Sequence, residues 1–492
     1  MSMLSLHDLD EQTIRSMFAN AADVNISSFL FETDTAPQKV VLLYCEGMAH
    51  SEKIDEFVLP RLHDMMATLD RVDSASINRH RMLQLVEIQD GPDMLETVTL
   101  DLYSGELLLL FEGPQLLYAL DIANPPNRST EESSSDVSLK GPRDALTESI
   151  VTNVALIRKR LKTQSLSYEK FIIGTRSHTN VALLYIHDII RMEIVEEARQ
   201  RLLALDVDSL LASEQLEEGL SDHPSSLLPL FEYIGRPDYV VDALLRGRFA
   251  IIVEGSPMAI IAPTNLTLLL KSPEDAHSPF YYVFFERLMR FMGLIVSIFL
   301  PGFWIAVAAF NLDQIPFPLL ATIASVRLGL PFSGPMDFFL MLGLFELFRE
   351  AGMRLPKAVG QTVTVVGGLI VGDAAIRSGI TSPVTVVITS ISTISMFTLV
   401  NQSLTGSISV LRIIILILSA LFGMYGFMLA LMGLALYLSS LESFGVPYLA
   451  PLSPINFKDI MTSLFGKPWT KRDRRPSFLH TQDPTRRGDG SR

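Results

Sequence analysis

The chain has 492 residues, 48% hydrophobic and only 19% charged, with a mean hydropathy of +0.32 and a formal net charge of −14. Soluble domains carry about 25% charged residues, and so apolar a chain does not fit one water-soluble core. A disordered chain, a collagen-like chain and a disulfide scaffold are excluded. The charge divides in two. From Tyr281 onward 17 Lys and Arg stand against 11 Asp and Glu, whereas residues 1–280 hold 23 against 43. So acidic a soluble part is a poor partner for nucleic acid, whose phosphates need Lys and Arg.

In chain order, the first 30 residues lack a basic stretch followed by an apolar one, so no cleavable signal peptide is expected. The single cysteine, Cys45, lies in the apolar run VVLLYCEG and reads as a buried, inert thiol. KVVLLY (39–44) and NVALLY (180–185) are short, β-branched runs that predict buried strands. Each precedes a dozen residues of helical spacing, SEKIDEFVLPRL (51–62) and RMEIVEEARQRL (191–202). GPDMLETVTLDLYSGELLLLFEGP (91–114) then parallels RPDYVVDALLRGRFAIIVEGSP (236–257), each a helix, a tight turn and a buried strand. Three matches near one offset of about 141 predict a duplicated α/β unit. Between the copies, NPPNRSTEESSSDVSLKGPRD (124–144) has linker composition. The following stretch, 145–163, reads as a helix that joins or packs the two subdomains.

Leu288–Phe310 carries one charge, Arg290, and is long enough to cross a hydrocarbon core, with a kink expected at Pro301. Arg287 and Arg290 are expected to snorkel to the headgroups. Phe317–Leu330 and Met336–Phe348 are short and Pro-interrupted, and read as re-entrant or half-spanning pieces. In Thr362–Ile376, Gly368 and Gly372 have the small-xxx-small spacing of packed membrane helices. Pro383–Val400 and Ile408–Leu441 are further apolar stretches, the second broken at Gly423 and Gly426. The basic tail 456–492 and the loop with Arg349, Arg354 and Lys357 are expected in the cytoplasm. With both ends inside, the number of crossings is even, and the four or five clear spans leave at least one short or broken segment. The expected fold is an α/β soluble region of two tandem similar subdomains (1–123 and 145–280), followed by an all-α polytopic membrane domain (281–455).

Charged groups at membrane depth are costly and are functional candidates. Asp373 and Arg377, four apart, share a helix face and either pair to fix packing or line a path. Glu346, Arg349 and Glu350 cluster in LFELFREAG and read as an interfacial ion-pair network or as gating groups. The nine His are scattered, and neither a metal-ligand spacing nor a phosphate-binding Walker motif occurs. No catalytic constellation is present either, so neither a cofactor nor an enzymatic activity is expected.

Several phrases are specific together: GPRDALTESIVTNVALIRKRL, SPEDAHSPFYYVFFERLMR, LPGFWIAVAAFNLDQIPFPLLATIASVRLGLPF, FELFREAGMRLPKAVGQTVTVVGGLIVGDAAIRSGITSP and SFGVPYLAPLSP. Over roughly residues 38–455 the chain resembles the A-subunit family of GerA-type spore germination receptors. That resemblance implies a subunit of the spore inner membrane, with the α/β region and tail facing the spore core. It implies work with a transporter-like B subunit and a lipoprotein C subunit, and oligomerisation into a nutrient-gated ion channel. Where the family usually has an aromatic pair after SPED, this chain has Ala276-His277. A related subunit associated with the dipicolinic-acid release channel shares the fold. A secondary transporter is the other alternative, and it predicts an inverted repeat among the membrane segments; the only clear repeat is in the soluble part.

Overall fold

The computed structural model describes residues 6, 9–32, 37–69, 72–79, 83–126, 140–354, 370–463 and 466–486. Its first sheet is built from β1 (Val24–Phe31), β2 (Gln38–Cys45), β3 (Val86–Ile88), β4 (Glu106–Phe111) and β5 (Leu116–Asp121), in the order β1-β2-β4-β5-β3. Every pairing is antiparallel. Successive side chains of a strand point to opposite faces, and here both faces are covered. Val41 and Leu43 enter one core, while Val40 and Leu42 enter another. That is why this strand is a continuous apolar run instead of an alternating one. On one face lie α1 (Glu11–Met17) and α2 (Met94–Leu102), and the helical stretch 51–68 covers the other.

A second sheet follows, with β6 (Leu166–Ile173), β7 (Thr179–Ile186), β8 (Glu232–Ile234), β9 (Phe249–Val253) and β10 (Ala259–Ala262), in the order β6-β7-β9-β10-β8. It too is antiparallel throughout and covered on both faces. β1 and β6 had no clear signal in the sequence, because each lies at a sheet edge and mixes polar with apolar residues.

Helix α3 (Ile150–Arg158), capped by Ser149, stands between the sheets. Ile150, Val154 and Ile157 enter the core of the second, and Ala155 that of the first. Gly47, at φ +78°, lets the first unit approach; a Cβ there would lie 2.9 Å from Val151 Cγ1. Arg158 is fully buried and donates two 2.9 Å hydrogen bonds to Asp23, with its guanidinium 4.1 Å above the Tyr103 ring. Cys45 Sγ lies 3.5 Å from Asp23, and burial pushes its thiol up, which keeps it protonated.

Beyond Pro279 the chain is helical and apolar. α4 (Phe280–Ile305) continues as a π-turn (Ala306–Phe310), followed by α5 (Phe317–Arg327), α6 (Gly334–Arg354), α7 (Gly372–Arg377), α8 (Pro383–Met396) and α9 (Gln402–Ser440). Among the described residues, two helices are long and apolar enough to cross a membrane, Phe280–Phe310 and Gln402–Ser440. At Gly423 (φ 61°, ψ −138°) α9 leaves helical geometry and the chain turns back. Before that point it runs parallel to α4, Ile415 beside Gly302 and Gly423 beside Phe310. After it, Phe427 packs on Phe303, and Tyr437 returns to the second α/β unit, accepting a 2.8 Å bond from the Leu227 amide. α8 is antiparallel to α4, with Thr398 beside Gly293, Ser392 bonded to Ser297 and Val384 near Ala308.

The two regions share one core. Val181, Leu183 and Phe249, on one face of the second sheet, pack in the same cluster as Leu294, Met396, Ile408 and Phe427. The turn after α9 seals the junction. Phe444 stacks edge-on against Phe231 and Phe249, and Ser443 Oγ donates to the Leu230 carbonyl and accepts from the Thr264 amide.

Candidate functional site

Pro301 has no N–H, so the Ser297 carbonyl, four residues earlier, loses its helical partner. The Ser392 hydroxyl on α8 donates to that carbonyl at 3.0 Å. Helix α4 therefore runs on past Pro301 to Ile305, and the departure from α geometry comes as the π-turn at Ala306 instead of a break at the proline. Ser392 Oγ in turn accepts from Arg412 Nη1 at 3.2 Å.

Arg412 on α9 is fully buried. Its Nη2 donates to Glu346 Oε1 on α6, and Glu346 Oε2 pairs with Arg349 Nη2 at 2.8 Å. Four helices thus meet in one chain of polar contacts: a carbonyl of α4, a hydroxyl of α8, a guanidinium of α9 and a carboxylate of α6. The set is under-satisfied, because Arg412 Nε and Arg349 Nε are buried without an acceptor among the described residues. Such a charge is stable only while its partners stay in place.

Of the groups singled out from sequence, Glu346 and Arg349 are therefore in this cluster, and Glu350 is exposed one turn on. Asp373 and Arg377 do pair, at 2.8 Å, but their side chains are 57% and 79% exposed and the pair is not part of the buried set. Gly372 is buried on α7 with Val386 of α8 above it, and Gly368 lies outside the described residues. Arg412, Ser392 and Asp337 were not singled out. Asp337 on α6 is buried and accepts 2.7 Å from the Thr385 hydroxyl and 3.4 Å from the Ser382 amide, at the start of α8. A lone charge inside an apolar run was the available signal for Arg412 and Asp337.

A second cluster holds the junction. Arg287 Nε and Arg290 Nη1 donate to Asp275 at 2.8 and 2.9 Å, and all three are buried. The expectation that these arginines reach the headgroups is corrected: a buried carboxylate supplied by the preceding turn holds them inside. Next to it, Arg236 bridges Asp238 (2.7 Å) and Glu274, and His277 Nε2 faces Asp238 at 3.1 Å. The departure at Ala276-His277 thus adds a polar contact to the junction. Burial would raise Asp238, but Arg236 and His277 hold its carboxyl below the usual range. Among the described residues, no group of three or more His, Cys, Asp and Glu is placed to hold a metal ion.

Two helices of membrane-spanning length and hydropathy, one of them carrying the buried Arg412, point to association with a membrane. A family model described as Bacillus/Clostridium GerA spore germination protein matches residues 12–478. Spore germination protein XA of Bacillus anthracis is 41% identical over 483 residues, 97% of each chain. An uncharacterized membrane protein of Bacillus subtilis, YfkQ, is 33% identical over 88% of this chain and 84% of its own length. A crystal structure of the N-terminal domain of the A subunit of the Bacillus megaterium spore germinant receptor GerK3 covers 54% of this chain and 98% of that one, with 29% identity and a TM-score of 0.41. The chain belongs to the GerA spore germination protein family.

Proposed function

We propose that this chain is the A-type membrane subunit of a nutrient germinant receptor, and that copies of it assemble into a gated ion channel beside a transporter-like B subunit and a lipoprotein C subunit. The observation that carries the reading is the single apolar core running from the second sheet into α4, α8 and α9, next to the Glu346–Arg412 cluster. Packed cores are bistable more than they are deformable, so a displacement of the α/β region is passed to the helices as a change of packing. A ligand on a partner then biases the two packings by contacting them differently.

In this reading Glu346, Arg349 and Arg412 are the gating groups, while Asp373, Arg377 and Glu350 face a neighbouring copy or the ion path. Gly372 packs α7 against α8. The α/β region is a tandem duplication (1–123 and 145–280, joined by 124–144), a reading supported by the shared strand order. α4, α6, α8 and both legs of α9 are read as passes, and the second leg of α9 ends beside the α/β region. Both termini are then on the spore-core side of the inner membrane, with 281–455 as the membrane domain and 456–492 as the tail.

The test is nutrient-triggered release of monovalent cations from spores carrying Arg412→Lys, Glu346→Gln or the double Asp373→Asn/Arg377→Gln, at matched protein levels. Slowed or spontaneous release is expected for the first two. Release at the normal rate in all three removes the channel assignment. Crosslinking in membranes is expected to trap homo-oligomers.

A further inference from the structure

The segment 466–486 folds back on the second α/β unit. Arg475 Nε donates to the Leu245 carbonyl at 2.8 Å, and the Gln482 amide to the Ile189 carbonyl at 2.9 Å. Between this segment, the short helix α10 (Phe457–Ser463) and the start of α4 lies a cavity of about 230 Å³, many times the roughly 10–15 Å³ one water needs. Nine of its 17 lining residues are Lys or Arg and two are Asp.

Some of these cations are already paired: Arg287 with Asp275, Arg246 with Asp242, Arg475 with Asp483. Among the described residues, no carboxylate pairs with Lys467, Lys471, Arg472 or Arg474, and Arg246 Nε is buried with no acceptor. Arg472 Nε bonds only a backbone carbonyl, that of Lys467, at 2.9 Å. Burial and then the neighbouring Arg246 push Arg472 down, with Asp242 opposing them, a cost of gathering like charges in one place. An anion would remove that cost, and Arg forks match oxyanion geometry. Arg287 places the cavity beside the first turns of α4, where Tyr281, Tyr282 and Phe285 stand exposed. Aromatic side chains of this kind sit at the headgroup level of a bilayer, where a basic pocket meets lipid phosphate.

We propose that this cavity binds a phosphate group, presented either by the headgroup of an anionic phospholipid or by a soluble phosphate. The lipid source rests on the membrane reading above; the phosphate chemistry does not. The full-length protein in a zwitterionic detergent is titrated with dihexanoyl-phosphatidylglycerol, with dihexanoyl-phosphatidylcholine and with inorganic phosphate, and binding is read by calorimetry. Phosphatidylglycerol or phosphate is expected to bind, phosphatidylcholine more weakly. The Lys467→Gln/Arg472→Gln variant is expected to lose about tenfold in affinity, the size of one or two charge-assisted contacts. A charge-matched Lys170→Gln/Arg176→Gln variant, on exposed positions elsewhere, is expected to bind as wild type. Inorganic phosphate binding as tightly as phosphatidylglycerol assigns a soluble source, and at least tenfold tighter binding of the lipid assigns the headgroup. Should the double variant not fold, Lys467→Gln alone carries the test with a smaller loss. No binding of either anion, or equal binding by wild type and variant, overturns the proposal.

Discussion

Arg412 and Glu346, 66 residues apart in the chain, meet between α9 and α6, and the arginine has no contact with solvent. Removing one partner leaves an uncompensated buried charge. Glu346→Ala is expected to cost about 3–5 kcal/mol, and the double substitution Glu346→Met/Arg412→Met to recover most of it, because desolvation nearly cancels the attraction of such pairs. Thermal unfolding of the detergent-solubilised protein reads both. A double variant as unstable as the single one would show that the pair itself, and not the orphaned charge, carries the stability.

Ser392 satisfies the carbonyl that Pro301 leaves open, which gives a double-mutant cycle with a definite sign. Ser392→Ala unsatisfies the Ser297 carbonyl and is expected to cost about 1–3 kcal/mol. Pro301→Ala supplies the missing helical N–H, so Ser392→Ala should cost less in that background. The coupling is measured as the difference between the two unfolding midpoints. Strict additivity would mean that the carbonyl finds another donor.

Much of this architecture was legible in the chain. β2, β4, β7 and β9 are apolar runs because both faces of each sheet are covered, and α4 and α9 announce themselves by length and hydropathy. The edge strands β1 and β6 were not legible, since half-exposed strands carry mixed residues. The site was legible only in part. Glu346 and Arg349 stood out as charges in an apolar helix, but their partner Arg412 comes from a helix far along the chain, and no local spacing encodes that meeting. Ser392 reads as one of several hydroxyls in a Thr/Ser-rich helix until Pro301 is placed beside it. Arg287 and Arg290 were misjudged because the deciding residue, Asp275, lies in a turn outside the helix.

The reversal at Gly423 depends on a backbone conformation open to glycine alone (φ 61°, ψ −138°). A Cβ there would also lie 2.8 Å from Phe310 Cγ. Gly423→Ala is expected to cost about 1–3 kcal/mol for the backbone alone, with more from the clash. Phe310→Ala in the same chain should return only the clash contribution. Full rescue by Phe310→Ala, seen as a wild-type unfolding midpoint, would show that the reversal tolerates a side chain.

Acid should loosen the junction before it unfolds the sheets. Asp238 is held below its ordinary 3.8 by Arg236 and His277, against the opposing effect of burial. A carboxyl depressed in the folded state contributes stability that is complete above its unfolded value and is lost as pH falls through its folded value. Asp242 is depressed as well, by Arg246 and Arg486 against burial, and adds to the same trend. The unfolding midpoint of the wild type should therefore fall as pH drops below about 4. Asp238→Asn should be less stable at neutral pH, and its gap from wild type should narrow steadily on acidification, as the wild-type carboxyl takes up a proton. A gap that stays constant from neutral pH down through that range would mean that Asp238 contributes packing and hydrogen bonds, and that its charge does not matter.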